Sequence, residues 1–379
     1  MHTRFLHTSD WQLGVTRTFL GGDAQARWSE ARFEGVRQLG RLAVDQQCEF
    51  IVVAGDVFET NQVNRRTVLK ACEAMAVIPM PIFLLPGNHD PLDAGSVFTS
   101  ALWKARCPPN VRVLDRPGDA IEVRPGIEVT GAPWTSKRPL CDLVAAAAAS
   151  LEPARAALRV MVAHGAVDEG TPNLDNPALI SVADATAALR EGRYHYLALG
   201  DRHSRTEVGA NGRIRYCGTH EAFDFREIDP GNVLVVDLSA EQCAVTAHTI
   251  GTWCFPIHEA RLTSEEDVEA LARVLDAMPD KARTIIKLGL VGTLGLNAHV
   301  RLEAVLDHAR ELFAAVVRSD SRSELVVLPA NTDFDQLALA GFAATAVEKL
   351  RALAASAGPD RDRAADALAL MVRLAGRSA

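Results

Sequence analysis

Five short apolar runs, each followed at once by Asp, Asn, His or Gln, constrain this chain more than any other feature. Residues 5–8 lead into Ser9-Asp10-Trp11-Gln12, and residues 50–54 into Gly55-Asp56-Val57-Phe58-Glu59. Residues 82–85 lead into Pro86-Gly87-Asn88-His89-Asp90, residues 159–163 into His164-Gly165, and residues 196–199 into Gly200-Asp201-Arg202-His203. Runs this short, apolar and mostly β-branched or aromatic read as buried strands. Helix-like stretches separate them at 24–46, 65–75, 140–150 and 182–191. Such alternation predicts a layered α/β core. In open α/β sheets ligands bind at the C-terminal ends of strands, so all five polar clusters are expected on one edge. Taken singly, an Asp after a strand is a turn residue and a lone His is a hydrogen-bonded core residue. Five in series point further. Converging carboxylate, imidazole and amide groups are what a pair of divalent cations requires.

The remainder of the chain is organised around that core. Segments 111–130 and 206–248 place strands in succession with Gly, Asp and Asn turns, which predicts hairpins and antiparallel edges. Composition shifts near Thr252. Residues 253–329 read strand, helix, strand, helix, strand, with Ser264-Glu265-Glu266-Asp267 as a capping-type helix start. Residues 333–375 are Ala- and Leu-rich and helical, broken by Ala357-Gly358-Pro359. The expected domains are a catalytic one over 1–251, a small α+β cap over 252–330 and a helical tail over 331–379. Leu337, Leu339, Phe342, Ala346, Val347 and Leu350, then Ala367, Leu368, Leu370, Met371 and Leu374, form apolar stripes at helical spacing. They pack on the cap or dock a partner.

The 379 residues carry a net charge of −8, with a pI near 5.8. A protein that grips nucleic acid through its overall field would be basic, so any polyanion contact has to be local. Candidates are Lys137, Arg138 and Arg202, with Trp134 available to stack on a base, while His220 follows a strand and is expected to line the same cleft. Seven scattered cysteines without a CxxC pair exclude a disulfide framework or a structural zinc site. No run of eighteen apolar residues occurs, so no membrane span is expected. The first residues lack a secretory pattern, and a cytoplasmic location is expected.

The strings Asp10-x-Gln12, Gly55-Asp56-x-x-Glu59, Gly87-Asn88-His89-Asp90, His164-Gly165 and Gly200-x-x-His203 resemble those of the calcineurin-like metallophosphoesterase superfamily. Phe5-Leu6-His7-Thr8-Ser9-Asp10-Trp11-Gln12-Leu13-Gly14 is most similar to the SbcD branch, the nuclease subunit of SbcCD-type repair complexes. The resemblance covers the whole chain. It implies a four-layer α/β/β/α sandwich with a small α+β cap and a helical C-terminal tail. It implies two divalent cations, with Asp56 shared between them. Asp10, Gln12 and His203 would complete the first site, and Asn88, His164 and Asp201 the second. His89 would act just outside the ligand shell as general acid or transition-state stabiliser.

Two departures stand out: the family pattern usually has His where this chain has Gln12 and Asp201. Both replace nitrogen by oxygen, which tilts the pair toward Mn²⁺ or Mg²⁺. The implied activity is phosphodiester hydrolysis by a DNA exo- or endonuclease subunit. Its implied partners are DNA, an SbcC-like coiled-coil ATPase and a second copy of the chain. Two other readings keep the fold: a stand-alone phosphodiesterase or phosphatase for nucleotides or other small esters, and a non-catalytic scaffold with a degenerate site.

Overall fold

The first strand, β1 (His2–Thr8), is flanked by β2 (Phe50–Val53) running parallel and by β11 (Asn232–Ser239) running antiparallel. This computed structural model describes residues 1–171, 175–319, 322–328, 341–356, and 358, 360, 361, 363, 364, 367 and 368. With β3 (Ile82–Leu84), β4 (Val111–Val113) and β12 (Cys243–Thr249) the first sheet has the order β12-β11-β1-β2-β3-β4. The second sheet contains β5 (Ile121–Arg124), β6 (Ile127–Ala132), β7 (Leu158–His164), β8 (Tyr196–Gly200), β9 (Thr206–Glu207) and β10 (Ile214–Tyr216). Its order is β5-β6-β7-β8-β10-β9. Both sheets are parallel at the centre and antiparallel toward one or both edges, as the Gly- and Asp-rich turns predicted.

The four layers follow from side-chain alternation along strands buried on both faces. In β2 every residue is buried. Phe50 and Val52 point between the sheets, where they meet Phe5, Phe83, Val160, Val162 and Tyr196. The rings of Phe5 and Phe50 stack there at 5.0 Å. Ile51 and Val53 point outward, against Val36 and Leu39 of α1 (Gly22–Asp45) and Val68 and Met75 of α2 (Arg65–Ala76). Trp103 of α3 (Ala101–Arg106) closes the same layer. On the far face of the second sheet, α4 (Leu143–Ala149) and α5 (Val182–Arg190) cover Met161, Leu197 and Leu199.

Local chemistry sets the helix ends. The helix expected over 140–150 starts at Leu143, because Asp142 caps it by accepting from the amides of Val144 and Ala145. The short helix α3 had no periodicity to betray it and is held by Ser100, whose side chain accepts from the Trp103 amide.

The chain divides into two compact units. One comprises Met1–Thr18 and Gln25–Trp253, and the other Phe19–Ala24 with the described residues from Cys254 onward. In the second unit, β13 (Ile257–Leu262), β14 (Ile285–Gly295), β15 (Ala315–Arg318) and β16 (Glu324–Leu328) are all parallel. α6 (Glu265–Ala277) and α7 (Leu296–Leu312) pack on one face through Leu271, Leu275, Leu302 and Leu306. The helix start expected at Ser264 is a reciprocal capping box between Ser264 and Asp267. β15 is an additional strand between the second helix and the last expected strand. Beyond β16, α8 (Phe342–Ala355) is helical. Leu337, Leu339, Ala357, Pro359, Leu370, Met371 and Leu374 lie outside the described residues. The seven cysteines form no disulfide.

Candidate metal centre

The C-terminal ends of β1, β2, β3, β7 and β8 converge, and the donors that follow them meet. Asp10, Asp56 and His164 are all buried, and each offers a ligand atom within 4.8 Å of the others. Close approach of backbone makes this possible. A Cβ at Gly87 would overlap the Asp56 carboxylate, one at Gly55 the His164 ring, and one at Gly200 the Ala54 carbonyl. Of the seven non-glycine residues with positive φ among those described, four belong to this cluster: Asp10 (53°), Gln12 (42°), Asp56 (52°) and Asp201 (98°). Strain of this kind persists where surrounding contacts over-determine it. Here the amides of Asp10 and Gln12 donate to the carbonyls of Gly55 and Asp56 at 3.1 and 2.8 Å.

His164 organises one side. Its Nδ1 lies 2.8 Å from the Ala54 carbonyl, which can only accept, so Nδ1 carries a proton and Nε2 is the nitrogen that faces the cluster. Around Nε2 stand Asn88 Oδ1 at 2.7 Å, Asp56 Oδ2 at 3.4 Å and Asp201 Oδ1 at 3.8 Å. Burial alone would lower the His164 pKa, but the carboxylates of Asp56, Asp10 and Asp201 outweigh it and hold the ring well above the ordinary histidine range. Three oxygens facing one ring nitrogen call for positive charge between them, from a proton or a cation. Burial would likewise raise the Asp56 carboxyl, yet His164 and His89 hold it below its usual value.

On the other side, His203 Nε2 lies 3.8 Å from Asp10 Oδ1 and 3.4 Å from Gln12 Nε2. Gln12 is 2% exposed, and its Oε1 is buried without a hydrogen-bond partner among the described residues. Burying a carbonyl oxygen unpaired is unfavourable by about 1–3 kcal/mol. The amide nitrogen of Gln12 faces His203, and its unpaired oxygen is an acceptor that a cation could use. The donor set therefore fits divalent cations held by Asp10, Gln12, Asp56, Asn88, His164, Asp201 and His203. It is rich in oxygen, which suits hard ions.

The structure brings all seven expected ligands to one place, with His89 at its margin. The His89 side chain is 38% exposed, its Nδ1 lies 2.8 Å from the Glu59 carbonyl, and its Nε2 lies 4.0 Å from Asp56 Oδ2. Arg202 is exposed, with its guanidinium 5.4 Å from the Tyr216 ring centre. Lys137 and Arg138 are exposed in the turn after Trp134. Trp134 itself donates its indole N–H to the His164 carbonyl at 2.7 Å, so that it buttresses this strand end.

His220 is not on the open face. It is fully buried, with Nε2 3.0 Å from the Arg32 carbonyl, and burial beside Arg32 pushes its pKa down to about 3. Its ring fills the space that Gly35 leaves on α1, where a Cβ would approach it to 2.5 Å. A substrate-lining role for His220 is corrected on this ground.

Two residues at the site escaped the sequence reading of roles. Asp90 is fully buried and accepts from the amides of Phe58 and Gly87 at 2.9 and 2.8 Å, which ties the Asp56 loop to the Asn88 loop. Burial and the nearby Asp56 push its carboxyl up to about 7. Its place in Gly87-Asn88-His89-Asp90 was the available signal. Glu227 accepts from His203 Nδ1 at 2.8 Å, and nothing in the local sequence marks it.

Part of the chain that carries this cluster is similar to a known family. Residues 3–182 match the family model described as calcineurin-like phosphoesterase. These residues, just under half of the chain, are similar to that family. The cluster is a candidate metal site. Among curated proteins, a 91-residue stretch is 32% identical to a nuclease SbcCD subunit of Bacillus subtilis (strain 168). The match spans 23% of this chain and only 22% of that relative's length. Among solved structures, TT1561 of Thermus thermophilus aligns with 65% of this chain and 99% of its own, at a TM-score of 0.42 and 12% identity. Purple acid phosphatase PPD1 from yellow lupin (Lupinus luteus) seeds aligns with 66% of this chain and 52% of its own, at 0.38 and 9%. No helix among the described residues is long and apolar enough to cross a membrane.

Proposed function

We propose that the protein is a dinuclear, metal-dependent phosphodiesterase acting on DNA, with Mn²⁺ as its working ion and Mg²⁺ as the alternative. The observation that carries this is the packing of Asp10, Asp56 and His164 within 4.8 Å, with the buried Oε1 of nearby Gln12 left unpartnered among the described residues. Seven donor side chains exceed the six positions of one octahedral Mn²⁺ or Mg²⁺ and would suit a pair, with Asp56 placed to serve both. When bound, such a pair supplies Lewis acidity: it neutralises phosphate charge and makes a water acidic enough to ionise at neutral pH.

The chain's own residues supply the rest. Asp56 receives the His89 amide on Oδ1 at 2.9 Å, which fixes its carboxylate plane and keeps Oδ2 toward His164. His89 donates from Nδ1 to the Glu59 carbonyl, so in its imidazolium form the second proton sits on Nε2; that proton passes to the departing alkoxide and leaves a neutral ring still protonated on Nδ1. The exposed Arg202, Lys137 and Arg138 supply local positive charge for a phosphate backbone on an otherwise acidic protein. The DNA reading is supported by the local likeness to the SbcCD nuclease subunit. The same likeness supports an SbcC-like ATPase as partner.

The net charge of −8 favours one competitor, an enzyme for small phosphate esters. A divalent-ion screen on linear DNA, run beside bis-p-nitrophenyl phosphate and p-nitrophenyl phosphate, separates them. A nuclease cleaves DNA with Mn²⁺ and prefers the polymer. Preference for the small esters overturns the DNA assignment, and no turnover of any substrate with any ion overturns the enzyme assignment.

A further inference from the structure

The two imidazoles of the cluster are held in different ways. His164 gives its Nδ1 proton to a main-chain carbonyl, that of Ala54. His203 gives its proton to a side chain, the Glu227 carboxylate, from a loop 24 residues further along the chain. Glu227 is 4% exposed in its side chain, and both its oxygens are engaged: Oε1 by His203 Nδ1 and Oε2 by the Phe223 amide, each at 2.8 Å. A carboxylate accepting from two donors is spoken for, so Glu227 is not a further ligand.

The loop that carries Glu227 is pinned to the segment that carries His203. The Ile228 amide donates to Ser204 Oγ at 2.8 Å, Arg205 Nη2 to Asp229 Oδ2 at 2.9 Å, and the Thr219 amide to the His203 carbonyl at 3.1 Å. Gly218, at φ +81°, lets the two backbones close, since a Cβ there would lie 2.8 Å from the His203 carbonyl oxygen. The His203 ring is also fixed in plane. Phe223 meets it edge-on with centroids 5.0 Å apart, and the Arg17 guanidinium covers Phe223 at 3.8 Å while donating to its carbonyl at 3.0 Å.

We propose that Glu227 is a positioning residue that sets the His203 tautomer and so decides whether the Gln12 side of the cluster can hold a cation. An ionised carboxylate only accepts, so the proton facing it sits on Nδ1 and the lone pair of Nε2 faces Asp10 and Gln12. An anionic partner also makes that nitrogen a better donor. This matters most here because the companion ligand, Gln12, is a neutral amide, a weaker donor than an imidazole or a carboxylate. The proposal rests on the metal-binding reading of the cluster and is independent of what the enzyme hydrolyses.

Glu227→Gln is the isosteric test. It leaves one oxygen for two N–H donors and turns an NH₂ toward either the Phe223 amide or His203 Nδ1. The relief available is transfer of the ring proton to Nε2, which removes the lone pair from the site. Long-range ¹H–¹⁵N spectra of the metal-free full chain read this directly, at a pH where the ring is neutral and with His203 assigned through His203→Asn. Wild type is expected to show the Nδ1–H form and Glu227→Gln the Nε2–H form. Mn²⁺ titration should then show one of two sites weakened about 10- to 100-fold by the substitution and the other unchanged.

An Nε2–H His203 in the wild type overturns the proposal, and so does an unchanged tautomer with both affinities intact in the variant. Should Glu227→Gln fail to fold, the wild-type spectrum still decides. A wild type that binds no Mn²⁺ at all sinks the metal reading instead, and the tautomer result separates the two failures.

Discussion

The His164 and His203 sides of the cluster differ in what holds them, and the contrast shows where such a site tolerates change. On the His164 side the chain relies on backbone: the ring has no exposed side-chain surface, its Nδ1 meets the Ala54 carbonyl, and Trp134 secures its own carbonyl. On the His203 side the support is a side chain from an irregular loop, and the imidazole is 20% exposed. A carbonyl on a buried strand cannot be mutated away. A glutamate on a loop can. One half of the centre is thus fixed by the fold, and the other is adjustable by single substitutions.

The largest effect is expected at Asp56, the residue proposed to serve both halves. Asp56→Ala should abolish binding of both cations and lower phosphodiesterase activity by about 10³-fold or more, the scale on which transition-state electrostatics act. Retention of one ion would show that the halves are independent. Next, His89→Ala should lower the rate by about 10²–10⁴-fold while leaving Mn²⁺ stoichiometry unchanged, because His89 Nε2 stands 4.0 Å from Asp56 Oδ2 and its proposed role is toward the leaving group. Lost metal in that variant would place His89 inside the ligand set.

A stability measurement probes the backbone-held half. Gly200→Ala drives a methyl into the Ala54 carbonyl, which also anchors His164. Thermal melts should show a loss of at least about 1–3 kcal/mol, and metal binding on the His164 side should weaken with it. A melt indistinguishable from wild type would contradict the close packing of these strand ends.

The pH dependence separates the two halves further. In the metal-free protein the His164 pKa is raised well above its ordinary value, chiefly by Asp56 against the opposing effect of burial. Below that pKa a cation must displace the proton, so affinity on this side should rise with pH by about tenfold per unit for each proton released, levelling off above it. Calorimetry in buffers of different ionisation enthalpy counts the proton. No proton release at neutral pH would mean that His164 is already neutral. The smallest effect is expected from Gln12→His. Replacing the neutral amide by imidazole should tighten the His203 side several-fold and move its preference toward zinc, as a competition titration would show.

Most of the site was legible because strands announce themselves locally. The all-buried Phe50 to Val53 run ends at Gly55-Asp56, and the same apolar-then-polar transition marks Asp10, Asn88, His164 and Asp201. Glu227 was not legible. It sits in a loop without periodicity, and only the folded chain brings it to His203 across 24 residues. His220 failed for a related reason: following a strand says nothing about which way a side chain points, and the void at Gly35 draws this one inward. Trp134 has a role that the sequence does not show: its indole N–H finds a structural partner in the His164 carbonyl. In the layers, the alternation of helices and strands foretold both sheets, while the six-residue α3 was too short to leave a pattern.

Diffraction from crystals grown with Mn²⁺, collected at the manganese edge, bears most directly on the claim that donors from five separate strand ends surround a pair of cations. Two anomalous peaks are expected to flank the Asp56 carboxylate, one beside His164 and Asn88 and the other beside Asp10 and His203. Peaks elsewhere on the molecule, or none at this cluster at saturating Mn²⁺, would contradict that claim.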